Sequence, residues 1–162
     1  MRIGIDATSL SSKRGYGRYL RELLPRLLEL ERDDEYVLVL DGQASVDPRA
    51  IPSLAGYDFE VVRPATHGSQ SAALSASDRR SVFDVVRMGR AVSRAKLDIL
   101  YFPSVFSFFP VPRSLPSVVC FHDAIPERHG TIVFPTYASR GFWKLKTRLA
   151  RSQASLIHTI SD

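Results

Sequence analysis

The chain is poor in the residues that build covalent and metal-held scaffolds. Its single cysteine, Cys120, excludes an internal disulfide and a cysteine-held metal cluster. Cys120 stands in the apolar run Val118-Val119-Cys120-Phe121, so a buried structural thiol is expected rather than a nucleophile. The four histidines, His67, His122, His129 and His158, show no metal-site spacing. No apolar run approaches the ~20 residues of a membrane span. The opening Met1-Arg2-Ile3-Gly4-Ile5-Asp6 meets an acid too early for a signal peptide. A reducing cytoplasm is the expected compartment. There is no internal repeat, no heptad pattern, and no Gly-Lys-Ser/Thr of a P-loop after the first strand-like run.

What is present fits one domain, residues 1–162, of ordinary composition, 44% hydrophobic and 24% charged. A chain of this size buries roughly two-thirds of its unfolded surface. Lys and Arg number 22 against 17 Asp and Glu, a net charge of +5 that favours anionic partners. No helix-turn-helix, zinc or aromatic-sheet signature accompanies that charge, so nucleic acid is not expected.

Short β-rich runs alternate with runs of helical period. Ile3 to Asp6, Tyr36 to Leu40, Phe59 to Val62, Leu97 to Tyr101, Ser117 to Phe121 and Leu156 to Ile160 read as strands. The first two are almost continuously apolar, as in a sheet covered on both faces. A helix is expected from about Gly17 to Glu31, buried through Leu20, Leu23, Leu24, Leu27, Leu28 and Leu30, with Pro25 kinking it or shortening its first segment. Residues 64–77 read as a mobile loop. A second helix follows, from Ser77 or Asp78 as N-cap to Ala95, with Val82, Phe83, Val86, Gly89 and Val92 as its core face. A third, about Thr136 to Ser152, sets Phe142, Trp143, Leu145 and Leu149 beside Arg140, Lys144, Lys146, Arg148 and Arg151. This succession predicts a single α/β Rossmann-like domain, a mostly parallel sheet with helices on both faces.

Ligands of such sheets bind beyond the carboxyl ends of the strands. Three segments fall there: Ala7 to Gly17, Phe102 to Arg113, and His122 to Glu127. Gly15 and Gly17 sit at the mouth of a helix, whose free N–H groups and partial positive charge suit a phosphate. Lys13, Arg14 and Arg18 beside them favour a diphosphate; the alternative role for the pair is loop closure over the sheet edge. A dinucleotide fingerprint is incomplete, because Leu20 replaces its third glycine and the loop from Ala7 to Arg14 is long, although Asp41 imitates the ribose-binding acid. His122 follows a strand and faces the same crevice, able to donate a hydrogen bond or act as acid or base, or simply to brace the next loop. Asp123 is a candidate beside it, or a cap for the turn from Ala124 to Glu127. The aromatic segment from Phe102 to Pro110 reads as a core cap or an apolar wall. The last helix either packs on the sheet with its cations in water or lies on an anionic membrane surface.

The order of these motifs resembles family 4 retaining glycosyltransferases of the GT-B fold. Gly15-Tyr16-Gly17-Arg18-Tyr19, Asp98-Ile99-Leu100-Tyr101-Phe102-Pro103, His122-Asp123-Ala124-Ile125-Pro126-Glu127 and the closing Leu156-Ile157-His158-Thr159-Ile160-Ser161-Asp162 stand in the family's register across essentially the whole chain. The resemblance implies the acceptor-side half of an enzyme moving a sugar, with retention, from a nucleotide diphosphate sugar to a glycan or lipid-linked acceptor. That donor is a substrate, and no cofactor or metal is expected. It further implies that Gly15, Gly17 and Arg18 approach the donor diphosphate. His122 would position the transferred sugar, with Asp123 beside it. The family's donor-binding Arg/Lys pair and spaced glutamates belong to a second domain that these residues do not include. The chain is therefore expected to be an excised half rather than a solitary domain, inactive alone and cytoplasmic, with a peripheral place at the inner membrane face open to it. A stand-alone module binding an anionic ligand or partner, and a dinucleotide oxidoreductase, are the alternative functions.

Overall fold

Six β-rich runs become the strands of one all-parallel sheet in a computed structural model that describes residues 1–30, 33–42, 46–64, 82–134 and 136–160. The strands are β1 (Arg2–Asp6), β2 (Glu35–Val39), β3 (Glu60–Val62), β4 (Ile99–Phe102), β5 (Ser117–Phe121) and β6 (Leu156–Thr159). Their order across the sheet is β3-β2-β1-β4-β5-β6, which makes the domain α/β and Rossmann-like. The order reverses beside β1, which pairs with β2 on one side and β4 on the other.

Alternation along each strand divides the apolar residues between two cores. Ile5, Leu38 and Tyr101 face α1 (Gly15–Leu30), whose Leu20, Leu24 and Leu28 complete that layer. Val39, Leu100, Phe102 and Val119 face the other way, against α2 (Val82–Arg94) and α5 (Tyr137–Gln153). Between β5 and α5, where a turn is expected from sequence, lie two one-turn helices, α3 (Ile125–Arg128) and α4 (Gly130–Val133). At the amino edge of the sheet, Arg2 gathers three segments. Its guanidinium pairs with Glu35 at 2.7 Å and with Glu60, and its Nε donates to the Ala95 carbonyl at 2.8 Å.

Several expectations shift. Helix α1 runs unbroken through Pro25 for 16 residues, so the first segment is not shortened. Its last leucine, Leu30, is exposed. The stretch read as a mobile loop beyond Pro64, the caps Ser77 and Asp78, and Arg79 and Arg80 lie outside the described residues. On α2 the buried face is Asp84, Met88 and Val92 with Val85 half-buried, whereas Phe83 is 78% exposed and Val86 is exposed too. Two apolar stripes overlap on that helix, and the one reaching Phe102 and Phe109 is buried. On α5, Trp143 is buried, Leu149 packs on the same core, and Leu145 is exposed. Thr136 caps this helix: its Oγ1 accepts from Ser139 N at 3.1 Å, and Thr136 N in turn donates to Ser139 Oγ at 3.3 Å. The aromatic segment after β4 is a core cap, with Phe102, Val105, Phe108 and Phe109 all buried.

The assignment of the α2 face has a direct test. Met88→Ala should cost about 2–4 kcal/mol of unfolding free energy, and Phe83→Ala under about 0.5 kcal/mol. Urea denaturation of the two variants reads the difference, and equal losses would reverse the face.

Candidate functional site

Helix α1 meets the carboxyl edge of β5 through its first turn. Tyr16 and Tyr19, three apart and so on one face, both set their rings edge-on to the His122 imidazole. The centroid separations are 5.0 and 4.8 Å, with interplanar angles of 82° and 85°. Strand alternation explains the meeting. Phe121 turns to the α5 layer, so Cys120 and His122 turn to the α1 layer. Tyr101, on β4, turns the same way, and its hydroxyl lies 3.0 Å from that of Tyr19. It also lies 3.5 Å from His158 Nδ1, on the strand paired with Cys120.

The imidazole of His122 is oriented from below. Its Nε2 donates to the Pro103 carbonyl at 2.7 Å, which fixes the tautomer of the neutral ring and leaves Nδ1 as the acceptor. Nδ1 takes no partner among the described residues. The bracing role is therefore filled by Nε2. Asp123, exposed, accepts from Ile125 N at 2.9 Å through Oδ1 and caps the turn into α3.

The two glycines separate. A Cβ on Gly17 would stand 2.0 Å from the Ser12 carbonyl oxygen and 2.7 Å from that of Ser9, so this glycine lets helix and loop touch backbone to backbone. Arg21 holds the same loop by donating to the carbonyls of Leu10 at 2.7 Å and Ser12 at 2.9 Å. Gly17 thus serves loop closure, the alternative role given for the pair. Gly15 has open space around it. Its N–H and that of Tyr16 take no partner among the described residues, while Lys13, Arg14 and Arg18 are exposed around them. Asp41, the imitator of a ribose-binding acid, is buried.

Burial governs the phenols. Tyr16 is pushed from 10.0 up to about 12, chiefly by burial, with the Asp123 charge adding and Arg14 opposing. Burial likewise raises Tyr19 against the opposing Tyr101 hydrogen bond. It raises Tyr101 further, with the Tyr19 hydroxyl reinforcing. The Cys120 thiol, fully buried, is raised by burial against its hydrogen bonds to Tyr101 and Tyr19. At neutral pH all four groups stay protonated, a fixed hydroxyl and thiol cluster with no ready nucleophile.

Tyr16, Tyr19 and Tyr101 stand in the quoted sequence strings without a role of their own. Their i, i+3 spacing and strand parity are signals that the pattern carried. Among the described residues no group of three or more His, Cys, Asp or Glu is placed to hold a metal ion. No described helix is long and apolar enough to cross a membrane. The fold defines a Rossmann-like α/β domain, with Tyr16, Tyr19 and His122 gathered where the first turn of α1 meets β5. Comparison of the chain with family models, curated proteins and solved structures finds no match.

Two outcomes follow from this geometry. Gly17→Ala should destabilise the domain by about 1–3 kcal/mol, because the colliding atoms are backbone. Gly15→Ala should be neutral or stabilise by up to about 1 kcal/mol. Thermal unfolding compares them, and parity would remove the closure role. Tyr16 supplies a pH signature: its raised folded pKa contributes stability below the unfolded value of 10.0, lost as pH rises toward about 12. The stability of Tyr16→Phe should fall less steeply across that window than that of the parent. Denaturation midpoints at graded alkaline pH measure the two slopes.

Proposed function

We propose that this domain is the acceptor-side half of a retaining glycosyltransferase that uses a nucleotide diphosphate sugar. One observation carries the reading: the ring of Tyr16, whose amide and that of Gly15 take no partner among the described residues, packs at 5.0 Å against His122, whose Nδ1 likewise takes none among them. Breaking the bond from the sugar's anomeric carbon to the diphosphate places negative charge on the leaving oxygens. Helix-terminal N–H groups and the cations Lys13, Arg14 and Arg18 suit that charge. His122 Nδ1 suits a sugar hydroxyl, which it orients by accepting a hydrogen bond. Asp123 lies at the rim and stabilises the turn that carries the next helix. The donor's nucleoside and the remaining catalytic groups belong, on this reading, to a second domain facing the crevice.

A dinucleotide oxidoreductase is less well supported, since Gly17 is spent on the Ser9 and Ser12 carbonyls and Asp41 is buried. A binding module for an anionic ligand uses the same amides and differs by lacking transfer chemistry.

Titration of the isotope-labelled domain with uridine and guanosine diphosphate sugars tests the reading. Shifts are expected at the Gly15 and Tyr16 amides and the His122 ring, with affinity in the millimolar range, about −4 kcal/mol. NAD should leave these signals unmoved. Silence toward every nucleotide sugar, or a response to NAD at the same groups, overturns the proposal. Robust sugar transfer by the 162 residues alone overturns its half-enzyme form.

A further inference from the structure

Away from the crevice floor, α5 carries a stripe that packing does not use. Tyr137, Arg140, Lys144, Arg148 and Arg151 recur at spacings of three and four and so share one side of the helix over about 20 Å. The buried side is a different set, Ser139, Trp143, Thr147 and Ala150. Helices α3 and α4 lie across from the stripe, and between them runs an open groove of about 680 Å³. Its floor includes Trp143 and Phe134, and its walls carry four cations against one carboxylate, Glu127.

That carboxylate is already engaged. Glu127 Oε1 accepts from the Trp143 indole at 3.1 Å and lies 3.9 Å from Arg151. Arg140 stacks over Tyr137, 4.3 Å from its ring centre. Lys144 and Arg148 have no carboxylate partner among the described residues, so the groove holds uncompensated positive charge. The segments that rim it also expose large apolar side chains: Ile125 on α3, Ile132 on α4 at 81%, and Tyr137 on α5 at 86%.

We propose that this groove docks the domain on a bilayer bearing anionic lipid, with headgroup phosphates among Arg140, Lys144, Arg148 and Arg151 and the apolar rim inserted at the acyl boundary. The charge alone would suit an acidic peptide as well. Isoleucines exposed on the two short helices that contribute to the groove fit the bilayer, where insertion removes apolar surface and each nearby cation adds attraction. The proposal does not rest on sugar transfer. It does bear on orientation: α3 begins at Ile125, just past His122, so docking by this face holds the crevice beside the membrane surface.

Co-sedimentation with vesicles provides the test. The domain should partition onto phosphatidylcholine vesicles containing about one-third phosphatidylglycerol, release with rising salt, and ignore pure phosphatidylcholine. Lys144→Gln with Arg148→Gln should weaken the partition about thirtyfold, equivalent to about 1 kcal/mol per neutralised cation. Ile132→Ser with Tyr137→Ser, at unchanged charge, should weaken it several-fold. Arg90→Gln with Arg94→Gln, the same charge change on α2, should have under about a threefold effect. The proposal fails if the parent does not bind the anionic vesicles. It fails equally if the α2 pair matches the groove pair, which reduces the effect to net charge. Binding of soluble polyglutamate as tight as binding to vesicles, unaffected by the Ile132 and Tyr137 changes, assigns the groove to an acidic protein instead.

Discussion

Backbone lies against backbone where Gly17 of α1 meets the carbonyls of Ser9 and Ser12, and the crevice takes its form from that contact. With the helix seated so closely, its first turn brings Tyr16 and Tyr19 onto His122. One turn further, Arg21 ties down the loop carbonyls that the close approach has gathered. A methyl group at that position would lift the helix from the loop and move both phenols together. The site therefore depends on an absent side chain more than on any that is present.

Rings continue the connection beyond the crevice. Tyr16 packs on Phe106 at 5.0 Å, Phe106 on Trp143 at 4.7 Å, and Trp143 on Phe134 at 5.4 Å. Lys146 donates to the Phe106 carbonyl and holds the middle of the chain in place. Edge-to-face and tilted contacts of this kind add about 0.5–1.5 kcal/mol each beyond the area they bury. The crevice and the cationic groove are thus two ends of one packed aromatic row that passes from the first turn of α1 to the floor beneath α5.

The fold was legible because its signals are local. Continuous apolar runs marked β1 and β2, the leucine spacing marked α1, and Thr136 marked the start of α5. The errors arose where two local solutions were nearly equal. Phe83 and Val86 offer α2 one stripe, Val85, Met88 and Val92 another, and the choice belongs to Phe102 and Phe109, which are remote in sequence. Leu30 and Leu145 continue a periodic pattern past the point where a partner surface exists. At the site, the position of His122 was readable from its place after a strand. The division of labour between its nitrogens was not, because Pro103 approaches it only in the folded sheet. Gly17 left two roles open for a related reason: a glycine at a helix mouth looks the same whether it admits a phosphate or a carbonyl oxygen of its own chain.

The central place of β1 also shapes the order in which the domain is completed during synthesis. Its first partner, β2, follows directly after α1, whereas its second, β4, arrives only at Ile99–Phe102. A ribosome adding ~5–20 residues per second leaves about 2–8 s between the end of β3 and the end of β4. Through that interval the N-terminal three strands can pair and cover one face with α1, while the other edge of the middle strand stays open. The nascent half-sheet thus carries an unpaired strand at what becomes its centre. Strand β4 closes that edge, and β5 and β6 then extend the sheet beyond it.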